Sequence, residues 1–128
     1  MTDRQGTAAE QVVNAMIAAC CRKDIEAALA CFTPDVRYHN IPLEPVFGHE
    51  GVRATLEPFL AMALEVDWVI HHSVGDDRGL VMNERTDRFR MPSGWVELPV
   101  MGVFEVVNGK IAHWRDYFDR EPLGGFAG

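Results

Sequence analysis

Three short segments carry residue types suited to acid–base chemistry. The first is Asn83-Glu84-Arg85-Thr86-Asp87-Arg88-Phe89. Successive side chains of a strand alternate between its faces. A strand here puts Arg85, Asp87 and Phe89 on one face and Glu84, Thr86 and Arg88 on the other. The second is Trp114-Arg115-Asp116-Tyr117-Phe118, where the same rule sets Asp116 between Trp114 and Phe118 on an apolar face. A carboxylate in that position is costly unless it is paired or useful. The third is Tyr38-His39-Asn40. Its phenol and amide share a face two residues apart and could hold one water between them. Two aspartates, an arginine and a held water are groups that move protons on and off a reacting molecule. Each piece also has a plainer reading. An Arg and an Asp two apart on a strand are usually a surface ion pair worth about 0–1 kcal/mol. Trp114 and Tyr117 are usually core or interface aromatics. The combination says more than any one piece.

These residues need strands to aim them. Val66 to Val74, Leu80 to Met91, Trp95 to Val107 and Lys110 to Phe118 are rich in strand formers and separated by turn clusters. The turns are 75–79, Pro92-Ser93-Gly94 and Asn108-Gly109. The first third of the chain reads as helix. Val12, Met16, Ile17 and Cys20 fall at helical spacing between Ala8 and Arg22. Lys23 and Asp24 break the pattern, and Asp24 can cap a second short helix, Ile25 to Phe32, ended by Thr33-Pro34. Val36 to Ile41 is expected to be extended. His49 to Leu64 is expected to be a third helix with Val52, Leu56, Phe59, Leu60 and Ala63 as its apolar stripe, kinked at Pro58. The tail after Asp119 holds Pro122 and three glycines and is expected to cover something or fray. Helices followed by an antiparallel meander argue an α+β fold, with long strands curled around a small-molecule pocket.

The last hairpin has two possible registers. A plain two-residue Asn108-Gly109 turn pairs Trp114 and Asp116 with Val103 and Met101 and turns Glu105 inward. A left-handed bulge at Gly109 makes the partners Gly102 and Val100, sends Leu98, Phe104 and Val106 to the core and sends Glu105 to solvent. The second buries more apolar surface and no extra charge, so it is preferred.

The chain has 128 residues, 48% apolar and 24% charged, with a net charge of -7. That is one domain, 1–128, with an ordinary globular balance. The negative charge disfavours nucleic acid and anionic membranes, which attract basic surface. No apolar run reaches the roughly 18 residues of a membrane span. Met1 to Gly6 is polar and lacks a signal-peptide core, so a cytoplasmic protein is expected. Cys20, Cys21 and Cys31 have neither zinc spacing nor an even count, and read as free thiols. The histidines (39, 49, 71, 72 and 113) lack metal spacing; His71 and His72 are adjacent, so one faces each side of a strand. There is no glycine-rich nucleotide loop. No metal and no cofactor are expected.

Together these segments resemble the limonene-1,2-epoxide hydrolase family. Asn-Glu-Arg-Thr-Asp at 83–87 resembles its catalytic strand. Gly-Val-Phe-Glu at 102–105, Asn-Gly-Lys-Ile at 108–111 and Trp-Arg-Asp-Tyr-Phe-Asp at 114–119 resemble its final hairpin, and Tyr38 and Asn40 match its water-binding pair. The resemblance implies a curved mixed β-sheet cone with N-terminal helices packed on it, the cystatin-like α+β fold shared with ketosteroid isomerase and SnoaL-like polyketide cyclases. It implies an Asp-Arg-Asp triad. Asp116 is then the base, with Tyr38 and Asn40 holding the water. Asp87 is the acid, Arg85 the bridge between the carboxyls, and Trp114 a further hydrogen-bond donor to Asp116. It also implies a homodimer and a small apolar epoxide as substrate. The pocket wall should then be apolar, with Met16, Phe59, Leu60, Met82, Phe89, Leu98, Val100 and Phe118 as candidates.

Two rivals share this fold, so fold alone does not decide. An isomerase or cyclase would use one aspartate to move a proton on a ketone or polyketide, with no need of a held water or an arginine bridge. A ligand-binding module would have no need of paired buried aspartates.

Overall fold

The computed structural model describes residues 6–121. Two short helices open the chain. In α1 (Ala8–Cys21), Thr7 accepts from the Glu10 backbone while the Glu10 side chain accepts from Thr7 N–H, a reciprocal cap that fixes where the helix begins. Lys23 adopts φ 63° and breaks the helix. Asp24 then caps α2 (Ile25–Leu29) through the Ala27 N–H.

The second helix is shorter than its sequence suggests, and the chain is already extended by Phe32. Strand β1 (Phe32–Asn40) therefore contains Thr33-Pro34, the pair expected to end a helix. Pro34 is tolerated because its stretch of β1 has no partner: the pairing with the last strand is interrupted between Phe32 and Arg37, so the missing N–H breaks no ladder bond. A two-residue strand β2 (Val46–Phe47), not anticipated, leads into α3 (Gly48–Met62). Strands β3 (Glu65–Gly75), β4 (Leu80–Met91), β5 (Gly94–Val107) and β6 (Lys110–Tyr117) follow close to their expected bounds.

The strands form one six-stranded curved sheet in the order β2-β1-β6-β5-β4-β3. Among the described strands only β1 and β6 run parallel, so the sheet is mixed. The helices cover its inner face and bury an apolar core that includes Val13, Met16, Val36, Val52, Phe104 and Trp114. No described helix is long and apolar enough to cross a membrane.

The final hairpin adopts neither expected register. Asn108 and Gly109 both have positive φ, 51° and 78°, and make a two-residue turn between Val107 and Lys110. The preferred bulge at Gly109 is absent. An extra residue sits instead in β6, between Ile111 and His113, opposite Val106 and Glu105. That bulge restores the inward face a plain two-residue turn would have lost. Asp116 pairs with Gly102 and Trp114 with Phe104. Leu98, Val100 and Phe104 are buried, Val106 is half-buried, and Glu105 is exposed, as the preferred option required.

A second bulge, between Ile70 and His72 in β3, overturns another expectation. His71 and His72 do not face opposite sides. Both reach outer-face residues of β4: His71 Nε2 lies 2.8 Å from Thr86 Oγ1 and His72 Nε2 3.9 Å from Glu84. The expectations for the N-terminal stretch and the C-terminal tail fall largely on residues 1–5 and 122–128, outside the described residues.

Candidate active site

The alternation rule places Asn83, Arg85, Asp87 and Phe89 on the inner face of β4, and all four are buried. Arg85 is the most demanding of them, a guanidinium with no solvent exposure of its side chain. An arginine has five N–H donors and cannot be discharged, so each must find an acceptor. Nε donates to Asp87 Oδ1 at 2.9 Å and Nη2 to Asp87 Oδ2 at 3.0 Å. Nη2 also donates to Asp116 Oδ2 at 2.8 Å. Nη1 donates to Asp116 Oδ1 at 3.3 Å and to Asn83 Oδ1 at 3.0 Å. The five donors have five acceptors. The Trp68 ring lies beneath, 5.5 Å from the guanidinium carbon, a cation–π contact.

Asp87 and Asp116 are on β4 and β6, with β5 between them. The guanidinium bridges them across that middle strand at Gly102, which faces Asn83 on one side and Asp116 on the other.

Asp116 has a second support. Trp114 Nε1 donates to its Oδ1 at 2.7 Å. The indole is fully buried and stacked between Tyr38, 4.1 Å away, and Phe104, 5.6 Å away. Tyr38 pairs with Trp114, and Asn40 with Asp116, across the parallel β1–β6 junction. The phenol, the amide and the Asp116 carboxylate therefore converge on one end of the cavity.

Burial pushes the Asp87 carboxyl up to about 6; the Arg85 charge and its hydrogen bonds pull it down, and Asp116 adds to the rise. Burial and the Asp116 charge raise the Tyr38 phenol well above its ordinary range, against a hydrogen bond with Asn40. Burial works against the charge on Arg85, but Asp116 and Asp87 more than offset it, so the guanidinium stays protonated. The triad thus holds a fixed cation between two carboxyls, and Asp87 keeps its proton to a higher pH than an ordinary carboxyl, up to about 6.

The cavity is lined by Tyr38, Asn40, Asp87 and Asp116 at its polar end. Thr55, Leu56, Phe59, Trp68, Phe89, Leu98, Val100 and Phe118 form the rest of its wall. The space between them, open mouth included, is about 470 Å³. Of the expected wall, Phe59, Phe89, Leu98, Val100 and Phe118 are in place. Met16 is not: it is fully buried on α1 against Cys20. Leu60 packs into the core behind the wall. Met82 stands one residue out of phase with Arg85 and Asp87, so the pleat turns it to the outer face beside Val74 and Leu80.

Thr55, Leu56 and Trp68 line the cavity without having been assigned to it, and Asn83 joins the triad unassigned. Trp68 faces Asp87. Counting the pairing back from the β3–β4 turn sets it opposite Arg88 on the outer face, and only the bulge turns it inward. Asn83 shares the phase of Arg85, and that phase was the signal available for it. Among the described residues, no group of three or more His, Cys, Asp or Glu side chains could hold a metal ion.

A solved LEH-like epoxide hydrolase from M. tuberculosis superposes with a TM-score of 0.79 at 29% identity, covering 94% of this chain and 92% of its own. A solved SnoaL-like protein from Shewanella denitrificans superposes at 0.80 with 16% identity, over 91% of this chain and 93% of its own, which shows a common fold and no more. Epoxide hydrolase EphG of Mycobacterium tuberculosis is 33% identical over 108 residues, 84% of this chain and 70% of the relative. The family model for the limonene-1,2-epoxide hydrolase catalytic domain matches residues 7–123, and the chain belongs to that family.

Proposed function

We propose that this protein adds water to a small apolar epoxide, cyclic or terpene-like, to give a vicinal diol in one step. The observation that carries the reading is the pair of buried carboxyls, Asp87 and Asp116, bridged by Arg85 at the polar end of an otherwise apolar cavity. Ring opening needs a proton removed from water as it attacks carbon and a proton delivered to the departing oxygen. Asp116 takes the first, from a water held by Tyr38 and Asn40. Asp87, protonated, gives the second. The C–O bond breaks as the new one forms, so no covalent link to the protein is made. Asp116 ends protonated and Asp87 ionised. Arg85 contacts both, so the charge it balances moves from one carboxylate to the other without leaving it. Return of the proton from Asp116 to Asp87 resets the site.

The apolar wall favours an uncharged substrate, and no lining residue offers a countercharge for an anionic one. The active species is a homodimer paired through the outer face of the sheet, where Val74, Leu80, Met101 and Tyr117 are exposed; light scattering on the eluting protein reads its mass. The three cysteines are free, which suits a reducing compartment.

The test is a panel of epoxides, limonene oxide and cyclohexene oxide among them, with diol as the readout and Asp116→Asn as control. Diol from the parent and none from the variant supports the reading. The SnoaL-like neighbours keep one other reading alive, a proton transfer on a ketone or polyketide by the same aspartates. A folded parent that makes no diol from any epoxide favours that reading, or simple ligand binding.

A further inference from the structure

We propose that Asn83 is a positioning residue for this site: its amide oxygen holds the Arg85 guanidinium flat across Gly102, so that one cation reaches both aspartates, without adding a further negative charge. The inference rests on the hydrolase reading above and extends it to a residue outside the triad.

Three observations carry it. Asn83 Oδ1 accepts from Arg85 Nη1 at 3.0 Å, the same nitrogen that reaches Asp116. Without that acceptor one buried N–H of a charged group is unpaired, and one of the contacts that fix the guanidinium between the aspartates is lost. Second, Asn83, Gly102, Asp116 and Asn40 lie in one row across four strands. Asn83 therefore closes the side of the bridge opposite the water-holding pair. Third, the arginine offers only donors, so the amide must turn its oxygen inward. This leaves Asn83 Nδ2 buried with no partner among the described residues. A residue kept for packing alone would not carry an unsatisfied donor, which an apolar side chain of equal size avoids.

Neutrality matters as much as geometry. The charged or titratable groups around Asp87 are Arg85 on its own strand, Asp116 on β6, Tyr38 on β1, and Cys20 and Cys21 on α1. From α3 come only Thr55, Leu56 and Phe59. The one cation thus serves two carboxyls. An aspartate at position 83 would keep the acceptor and add a competitor for the same guanidinium, which favours the protonated form of Asp87.

Two variants separate this role from a structural one. Asn83 does not line the cavity, so Asn83→Leu should lower kcat about tenfold or more and leave KM close to the parent's. Asn83→Asp should keep most of the turnover at low pH and move the descending limb of the pH–rate profile up by about one unit. Thermal melts check that both fold. Asn83→Asp is isosteric, so it decides the matter alone if Asn83→Leu does not fold. An Asn83→Leu protein with parental kcat, or an Asn83→Asp protein with an unmoved pH profile, overturns the role of Asn83 while the hydrolase reading stands. A parent that makes no diol overturns both.

Discussion

A Cβ placed on Gly102 would lie 2.6 Å from Arg85 Nη1. The same atom would sit 2.9 Å from Asp116 Oδ1 and 3.0 Å from Asn83 Oδ1. The bare backbone of β5 is the saddle over which the arginine on β4 reaches the aspartate on β6. Gly102→Ala should therefore push the guanidinium off one carboxylate. Turnover should fall at least about tenfold and stability by about 1–3 kcal/mol, the scale of overpacking a tight site. Steady-state kinetics with urea denaturation reads both. An alanine variant with parental activity would show that the bridge is not needed.

Removing the arginine is the harsher experiment. Arg85→Ala leaves two buried carboxyls without their cation, a loss of about 3–5 kcal/mol for a broken buried pair. Arg85→Lys keeps the charge but not the planar fork that serves three residues at once, so it should rescue stability more than rate. Equal rates in Arg85→Lys and the parent would mean that charge alone is required.

Asp87 should set the alkaline side of the rate profile. It acts in its protonated form, and burial lifts it to about 6, so kcat/KM should fall as pH rises through that region. The same shift bears on stability. The folded value lies above the ordinary 3.8, so the folded protein binds this proton more tightly than the unfolded chain does. Its stabilising contribution is complete below 3.8 and lost as pH rises through about 6. Denaturation midpoints of parent and Asp87→Asn, compared between about pH 4 and about pH 7, should differ in slope in that direction. Parallel curves would contradict the raised value.

Tyr38→Phe should cost less than the loss of either aspartate, within about tenfold, since it removes one hydrogen bond while Asn40 and Asp116 still hold the water. The ring also stacks on Trp114, and phenylalanine keeps that contact. A loss as deep as that of Asp116→Asn would mean the phenol takes part in proton transfer.

Much of this site is legible in the sequence because strand alternation is a strong rule. Arg85 and Asp87 are two apart, as are Trp114 and Asp116, and each pair does share a face. The errors come from places where counting fails. Bulges in β3 and β6 each insert one residue, which a count from the turn cannot see; they hid Trp68 and set the wrong partners for Asp116. Met82 is apolar enough for the wall, but its phase on β4 puts it on the outer face. Met16 and Leu60 are apolar residues on helices, and a helix touching both core and cavity does not announce which residue faces which. Pro34 looked like a helix stop because its tolerance in β1 depends on a gap in long-range pairing.

The most direct test is a single turnover of a small cyclic epoxide in heavy-oxygen water, with the label followed in the diol and in the intact protein. Labelled diol and unlabelled protein is the expected result, with a loss of at least ~10² in rate for both Asp87→Asn and Asp116→Asn. Label in an aspartate, or a near-parental rate in either variant, would contradict direct attack by a water between the two carboxyls.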